Sequence, residues 1–149
     1  MKLLVCGGYG FIGSTFIKNH LNNFSNDEII NIDNLAIGSN KFNLSEINNK
    51  NYSFVKEDIK NFDVIEKISK DVDIIINFAA ETHVDRSISN SKPFIETNIL
   101  GTYSLLESSR KYDKKFIHIS TDEIYGDLEN KESFSENDIL KPSNPYSAT

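Results

Sequence analysis

The sequence contains no tryptophan, one methionine, one cysteine and three prolines among 149 residues. A single cysteine, Cys6, cannot form an internal disulfide, which excludes a disulfide-stabilised scaffold and favours a reducing compartment. The cytoplasm is therefore the expected location. Long apolar runs are also absent, and glycines interrupt the first twenty residues. We therefore expect no membrane-spanning helix and no signal peptide.

Basic residues are outnumbered as well, with 16 Lys and Arg against 22 Asp and Glu, for a net charge of −6. No run of Lys or Arg stands apart from acidic neighbours. A negative surface repels phosphate backbones and anionic lipids, so we expect neither nucleic acid nor a membrane surface as a partner. The length is that of one domain with a single core.

Short apolar runs alternate with segments of helical spacing along the chain. The runs predict strands at residues 2–6, 29–33, 52–55, 72–78 and 116–119, and the spacing predicts helices at 11–21, 62–68 and 93–111, with a short one around 44–47. This alternation predicts an α/β fold, a Rossmann-type doubly wound parallel sheet of about five strands.

The helix predicted at 93–111 is apolar on more than one face. Its apolar residues are Phe94, Ile95, Ile99, Leu100, Tyr103, Leu105 and Leu106. A stripe of about 100° is enough to face one core, so the excess indicates a second apolar partner. That partner is either another segment of the chain or a second subunit, and a homodimer is the preferred expectation.

A glycine-rich turn follows the first predicted strand and opens the first predicted helix. Gly7, Gly10 and Gly13 have a G-x-x-G-x-x-G spacing, with Phe11 and Ile12 between the last two. Glycines permit positive φ and let the backbone approach a pyrophosphate, whose charge the helix N-terminus stabilises. The turn therefore predicts a dinucleotide site, and the alternative is a purely structural turn.

Asp33 ends the second predicted strand, roughly 20 residues after the turn, where an acid accepts hydrogen bonds from the adenosine ribose. A carboxylate at this position repels a 2′-phosphate, so the sequence favours NAD over NADP. Asp58 and Ile59 are expected to hold the adenine, although Asp58 fits a loop or cap role equally well. The other expected cofactor contacts are Asn34, Ala79 and Ala80.

Two adjacent acids, Asp122 and Glu123, follow the fifth predicted strand. In an open α/β sheet, ligands bind beyond the carboxyl ends of the strands, which makes this pair a candidate for catalysis. Acids in this position also cap turns. The pair by itself leaves both interpretations open.

Five segments together resemble the extended short-chain dehydrogenase/reductase family, and within it the dTDP-glucose 4,6-dehydratases. They are residues 7–13, 79–87, 96–98, 120–126 and 142–148. The resemblance spans the whole chain, and Thr121-Asp122-Glu123 is its most specific part. Related epimerases and decarboxylases share the glycine turn and the tyrosine but generally lack the acid pair.

The resemblance implies a redox-neutral elimination on a nucleotide-activated glucose with NAD held throughout. Tyr146 would take the proton of the C4 hydroxyl while hydride passes from C4 to the nicotinamide. Glu123 would then remove the C5 proton and Asp122 would protonate the departing C6 hydroxyl, after which hydride returns to C6. We expect the two acids to share a desolvated pocket, where one stays protonated while the other is the base.

The resemblance also implies supporting roles for threonines. Thr121 would hydrogen-bond the C4 oxygen, Thr82 would contact the sugar, and Thr97 with Asn98 would support the cofactor. No metal site is expected.

A histidine with two charged neighbours stands out beside Thr82. We interpret His83, Asp85 and Arg86 as a structural cluster, with Asp85 and Arg86 paired, because an isolated histidine is more often structural than catalytic.

The family's tyrosine belongs to a Tyr-x-x-x-Lys motif, and its lysine would follow Thr149. A neighbouring cation favours the ionised phenol, so its absence weakens Tyr146 as a base. Residues 1–149 are therefore expected to be an incomplete NAD-binding domain without the C-terminal nucleotide-sugar domain. We expect weak or no turnover from this chain alone.

Overall fold

The strands of this computed structural model, which describes residues 1–128 and 133–149, are all parallel. They are β1 (Lys2–Cys6), β2 (Glu28–Asp33), β3 (Tyr52–Lys56), β4 (Ile74–Asn77) and β5 (Lys115–His118). Within the described residues their order is β3-β2-β1-β4-β5. The predicted Rossmann-type sheet is confirmed, and each predicted strand lies within a few residues of an observed one.

The central strand β1 is buried on both faces, which explains why its sequence is an apolar run rather than an alternating pattern. Leu3 and Val5 belong to one core cluster, and Leu4 and Cys6 to the other. The sheet thus separates two apolar layers, each closed by helices.

The helices divide between the two faces. α1 (Phe11–Asn23) and a 3₁₀ turn (Lys41–Leu44) contribute Ile17, Leu21 and Leu44 to the first core. α2 (Phe62–Ser69) and the helix before β5 contribute Ile65 and Leu105 to the second. The helix expected around 44–47 is thus an earlier 3₁₀ turn.

A short helix, α3 (Val84–Ser89), was not predicted. Of its six residues only Ser87 is buried, so the sequence has no apolar periodicity from which this helix could be predicted. α3 nevertheless contacts the last helical turn of the chain, Pro145–Ala148. This packing brings residues 84–89 to the end of the crevice described below.

The predicted 93–111 helix is a composite, here called the long helix. It is α-helical over Lys92–Phe94, π-helical over Ile95–Gly101 and α-helical over Thr102–Tyr112. A Cβ at Gly101 would lie 2.5 Å from Ile59 Cδ1, so this glycine lets the helix approach the loop after β3. The wide π turn therefore lies where the helix packs against the loop after β3.

The surplus apolar side chains of the long helix are exposed. They are Ile95, Ile99, Leu100, Tyr103 and Leu106, with exposed fractions of 44% to 59%. Burial under another segment is therefore not seen for these residues in the part of the chain that the structure describes. No helix in that part is long and apolar enough to cross a membrane.

The sheet order creates a crevice at the carboxyl ends of β1 and β4. The connection after β1 runs through α1 on one face, and the connection after β4 runs through the long helix on the other. The two loops diverge at this point, which is where open α/β sheets bind their ligands.

Candidate cofactor and substrate site

The crevice contains a cavity of about 720 Å³, within the range of small-molecule and cofactor sites. The predicted site residues that line it are Gly7, Gly10, Phe11, Ile12, Gly13, Asp33, Asn34, Ile59, Ala79, Ala80, Thr82, Thr97, Thr121 and Tyr146. Three others, Asp58, Asp122 and Glu123, are not among the lining residues. The structure thus gathers most of the predicted residues around one space.

The glycine turn is tight because it lies directly against the loop after β4. Gly7 has φ +76°, and a Cβ there would lie 2.7 Å from both N and Cα of Ala79. A Cβ at Gly13 would overlap the carbonyl oxygen of Gly7. Side chains at either position would push the turn away from the sheet, so both glycines are required by geometry.

The N-terminus of α1 faces the cavity. Gly10 is its N-cap and has no side chain to bond the first N–H groups, and Phe11, Ile12 and Gly13 line the space beside it. Free N–H donors and the helix dipole together favour an anion at this position. The local chemistry is that of a pyrophosphate site.

Asp33 is buried and holds the walls of the cavity together. Its Oδ2 accepts from Tyr9 N at 3.0 Å, and its Oδ1 accepts from Leu35 N at 2.8 Å and Ser39 Oγ at 2.7 Å. A carboxylate offers about four lone-pair positions. Asp33 therefore supports the glycine turn and the loop after β2 while it keeps acceptor capacity for a ligand.

Asp58 lies in the loop after β3 and has the bonds of a loop cap. It accepts from Lys60 N at 2.9 Å and from Asn34 Nδ2 at 3.1 Å, and Lys60 Nζ lies 3.6 Å from it. Ile59 is buried and lines the cavity. The contacts of Asp58 match the cap role that the sequence left open.

The loop after β4 is held by two asparagine amides. Asn77 Oδ1 accepts from Ala79 N at 3.0 Å. Asn98, in the π segment, accepts from Glu81 N at 2.9 Å and donates to Glu81 O at 3.0 Å. Thr97, beside Asn98, is on the cavity wall. The long helix thus fixes the loop that carries Ala79 and Ala80.

The expected Asp85–Arg86 pair is wrong. Arg86 Nη2 lies 3.4 Å from Glu81 Oε2, because the first turn of α3 brings Arg86 over the loop after β4. His83 precedes α3 as its N-cap residue and is exposed. The ion pair of Arg86 thus involves a different acid from the one expected.

The acid pair lies in a 3₁₀ turn, Asp122–Tyr125, directly after β5. Thr121 caps this turn: its Oγ1 accepts from Glu123 N and donates to Asp122 Oδ1, each at 3.3 Å. Both acids are exposed, so the expected desolvated pair is wrong for this structure. The turn carries them to the rim, and no segment in residues 1–128 or 133–149 buries them.

The turn Pro145–Ala148 places Tyr146 on the cavity wall. Asn144 caps it by accepting from Ser147 N at 2.8 Å, and donates to Glu123 Oε2 at 3.3 Å. Tyr146 N donates to Ser87 Oγ at 3.1 Å, which explains the contact with α3. Asn144 therefore links the tyrosine turn to the acid pair.

The residues at the site that the sequence did not single out include Ser87, Asn31 and His118. Ser87 lies in the matched segment 79–87 but gave no signal of its own. Asn31 Oδ1 accepts from Gly8 N at 3.0 Å in the buried interior, and the signal for it was a polar residue within an apolar strand. His118 lines the cavity, and the signal was a histidine ending the strand before the acids.

His118 is partly buried against β4. Its Nδ1 lies 3.3 Å from Asn77 Nδ2, and because an amide nitrogen can only donate, Nδ1 accepts. Burial lowers the pKa of His118 below its ordinary value, which favours the neutral ring. No group of three or more His, Cys, Asp or Glu side chains in the described ranges is arranged to hold a metal ion.

Known proteins match this chain in sequence and in fold. The family model for GDP-mannose 4,6 dehydratase matches residues 4–149. The dTDP-glucose 4,6-dehydratase of Haemophilus influenzae is 46% identical over 163 residues, covering 100% of this chain and 48% of the relative.

Solved structures of related enzymes have the same fold as this chain. The dTDP-glucose 4,6-dehydratase from Streptomyces venezuelae, solved with NAD bound, superposes with a TM-score of 0.93 at 39% identity, covering 99% of this chain and 48% of that one. A UDP-N-acetylglucosamine 4-epimerase from Methanobrevibacter ruminantium has a TM-score of 0.89 at 30% identity, with 99% and 46% covered. The chain spans about half the length of the curated relatives it matches. It belongs to the GDP-mannose 4,6-dehydratase family.

Proposed function

We propose that this chain is the NAD-binding part of a lyase that converts dTDP-glucose to dTDP-4-keto-6-deoxyglucose. The observation that carries the proposal is a single cavity lined by the glycine turn, Asp33, Thr121 and Tyr146. The similarity to dTDP-glucose 4,6-dehydratases over the whole chain supports it.

The residues present fit NAD. The N-terminus of α1 would bind the pyrophosphate, Asp33 the adenosine ribose, and Asn34 with Ile59 the adenine side. Ala79 and Ala80 present a small surface on which the nicotinamide half would lie, with Thr97 beside it. Bound NAD would supply a hydride acceptor for C4 and a hydride donor for C6.

The chain's own residues would move the protons. Tyr146 would accept the proton of the C4 hydroxyl, and Thr121 would hydrogen-bond the C4 oxygen. The C4 ketone acidifies C5, so Glu123 would remove the C5 proton while Asp122 protonates the leaving C6 hydroxyl, and Glu123 would return the proton to C5 as C6 is reduced. Both acids are exposed here, so the dry surroundings that this step needs require further protein.

Two measurements test the proposal. A hybrid of residues 1–149 and the C-terminal half of the Haemophilus influenzae relative is incubated with dTDP-glucose, and the product is weighed by mass spectrometry. We expect loss of one water, and a Glu123→Gln hybrid should lose most activity. A hybrid that binds NAD but forms no dehydrated product contradicts the lyase assignment. The 149 residues alone should give little or no turnover.

A second candidate is a nucleotide-sugar 4-epimerase, which the similarity to a UDP-N-acetylglucosamine 4-epimerase favours. An epimerase inverts C4 and keeps the C6 hydroxyl, so its product has the mass of its substrate. The same hybrid, given UDP-glucose and UDP-N-acetylglucosamine and followed by proton NMR of the sugar, distinguishes the two, because inversion at C4 changes the coupling constants of H4. A third possibility, a non-catalytic NAD-binding module, predicts tight NAD binding and an inactive hybrid.

We also propose that two copies associate through the exposed stripe of the long helix. Ile95, Ile99, Tyr103 and Leu106 recur at helical spacing and are each at least 44% exposed. Light scattering should give a dimer mass for the chain, and Ile99→Glu should give a monomer. The matched control is Phe42→Glu, because Phe42 is 82% exposed in the Lys41–Leu44 turn on the α1 side of the sheet. A monomeric wild-type chain contradicts the pairing.

We propose a cytoplasmic location, because the lone thiol of Cys6 is buried and free. Fractionation of the source cells with an antibody to this chain tests it, and recovery from a secreted fraction contradicts it.

A further inference from the structure

The side of the glycine turn that faces away from the cavity rests on buried polar groups. Asn31, in the middle of β2, is fully buried. Its Oδ1 accepts the backbone N–H of Gly8 at 3.0 Å, and its Nδ2 donates to the hydroxyl of Tyr52 at 3.0 Å. One amide therefore connects the turn to β3.

Tyr52 also packs against the apolar cluster that contains Tyr9, the residue after Gly8. Its hydroxyl accepts from Asn31 Nδ2. Burial raises the pKa of Tyr52 above its ordinary value, so the hydroxyl stays protonated. The hydrogen bonds therefore run from the Gly8 backbone through the Asn31 amide to the Tyr52 hydroxyl.

The N–H of Gly8 selects the orientation of the Asn31 amide. A rotated amide would direct its NH₂ group at this N–H, so that two donors would face each other. Tyr52 then provides the acceptor for Asn31 Nδ2, which would otherwise be a buried donor without this bond. The hydrogen bond that supports the turn is thus stabilised by Tyr52.

No gap separates the turn from this support. A Cβ at Gly8 would overlap the side chain of Asn31 and would lie 2.5 Å from Ile17 Cδ1. Gly7 and Gly10, on either side, line the cavity. A movement of the Gly8 peptide would therefore displace backbone on the cofactor side, where a binding constellation tolerates only about 0.5 Å.

We infer that Asn31, supported by Tyr52, is a positioning residue that holds the glycine turn in its cofactor-binding shape before the cofactor arrives. The inference rests on the proposed binding of NAD. Asn31 contacts the turn on the side that faces away from the cavity, and it lines no part of the cavity. Its contribution to affinity is preorganisation, because the free turn has no alternative shapes to lose on binding.

The test compares Asn31→Ala, Tyr52→Phe and a control, Ile65→Ala, which removes a fully buried side chain from the opposite core. Three quantities are measured: the Kd for NAD by calorimetry, the free energy of unfolding in urea, and hydrogen exchange of the Gly8 amide by NMR. We expect Asn31→Ala to weaken NAD binding about tenfold to a hundredfold and to expose the Gly8 amide. Tyr52→Phe should act in the same direction but less.

The control separates positioning from general stability. Ile65→Ala should lower the free energy of unfolding while it leaves Gly8 protected and the Kd for NAD unchanged. The inference is overturned if Asn31→Ala keeps the wild-type Kd, or if Ile65→Ala weakens NAD binding as much. If Asn31→Ala does not fold, the same criteria apply to Tyr52→Phe.

Failure of the proposed function is distinguishable from failure of the positioning role of Asn31. If the wild-type chain does not bind NAD, the proposed function and the cofactor role of Asn31 both fail. If the chain binds NAD but the Gly8 amide is equally protected from hydrogen exchange in wild type and in Asn31→Ala, only the positioning role of Asn31 is wrong.

Discussion

The two ends of the crevice differ in how far their acidic side chains are already bonded and buried. At the cofactor end, Asp33 is 4% exposed and accepts hydrogen bonds from Tyr9, Leu35 and Ser39. At the other end, Asp122 and Glu123 are exposed on a short turn. The described residues therefore hold the acid of the proposed dinucleotide site in place but leave the two acids of the proposed substrate site exposed.

This difference follows from how each end is built. The cofactor end is formed where β1, β2 and β4 lie side by side, so its loops bond to one another. The acid turn follows β5, which within the described residues pairs only with β4. A residue at the last strand has fewer neighbours to bury it, and so the acids remain at the rim.

The largest effect is expected from Gly7→Ala, which attacks the cofactor end. The new Cβ would meet the Ala79 backbone at 2.7 Å at a residue with φ +76°. We expect a loss of roughly 2–4 kcal/mol in the free energy of unfolding and no measurable NAD binding. The control is Gly38→Ala, which has φ +96° but open space around its Cβ and should cost about 1 kcal/mol. If Gly7→Ala and Gly38→Ala lower the free energy of unfolding in urea by the same amount, the close approach of Gly7 to Ala79 is not important for stability.

Asp33→Asn is expected to have the next largest effect. Asparagine replaces one acceptor oxygen with a donor, so a buried N–H group from Tyr9 or Leu35 would face another donor. This should lower the free energy of unfolding by about 1–3 kcal/mol and weaken NAD binding at least tenfold, by roughly the same energy. Urea unfolding and calorimetry measure both quantities. A variant as stable as wild type, with the same Kd, would remove Asp33 from both roles.

Asp122→Asn and Glu123→Gln should by contrast leave this chain almost unchanged. Both side chains are exposed, and such substitutions usually change the free energy of unfolding by less than about 0.5 kcal/mol. The Kd for NAD should also stay the same. A loss comparable to that of Asp33→Asn would contradict the contrast between the two ends. The same Glu123 substitution in the hybrid enzyme should abolish product.

The smallest effect concerns pH and His118, between the two ends. Burial lowers the pKa of His118 in the fold, so the unfolded chain takes up the proton first as the pH falls below 6.5. The stability present above that pH should decrease until the folded pKa is passed. His118→Gln should flatten this part of the profile, whereas His83→Gln, at an exposed residue, should not. Identical profiles for wild type and His118→Gln would contradict the assignment.

The sequence predicted those parts of the fold and site that depend on local pattern. Apolar runs located the strands, and the spacing of Gly7, Gly10 and Gly13 located the turn. Asp33 was found because a fixed βαβ geometry separates it from the glycines. The support under the turn was missed, since Gly8, Asn31 and Tyr52 meet only after β2 and β3 pair.

The exposure of Asp122 and Glu123 could also not be predicted from the sequence. Adjacent acids after an apolar strand look the same whether a neighbouring segment covers them or not, and the structure leaves Asp122 and Glu123 uncovered. The pairing of Arg86 was missed for a related reason. The direction of its side chain depends on α3, whose six residues carry no apolar period.

The most direct test of the contrast is a calorimetric titration of the 149-residue chain with NAD and, separately, with NADP. We expect one NAD per chain, weaker binding of NADP because Asp33 repels a 2′-phosphate, and unchanged NAD binding in the Glu123→Gln variant. Absence of NAD binding at millimolar concentration would contradict the central claim that the residues at the cofactor end bind NAD.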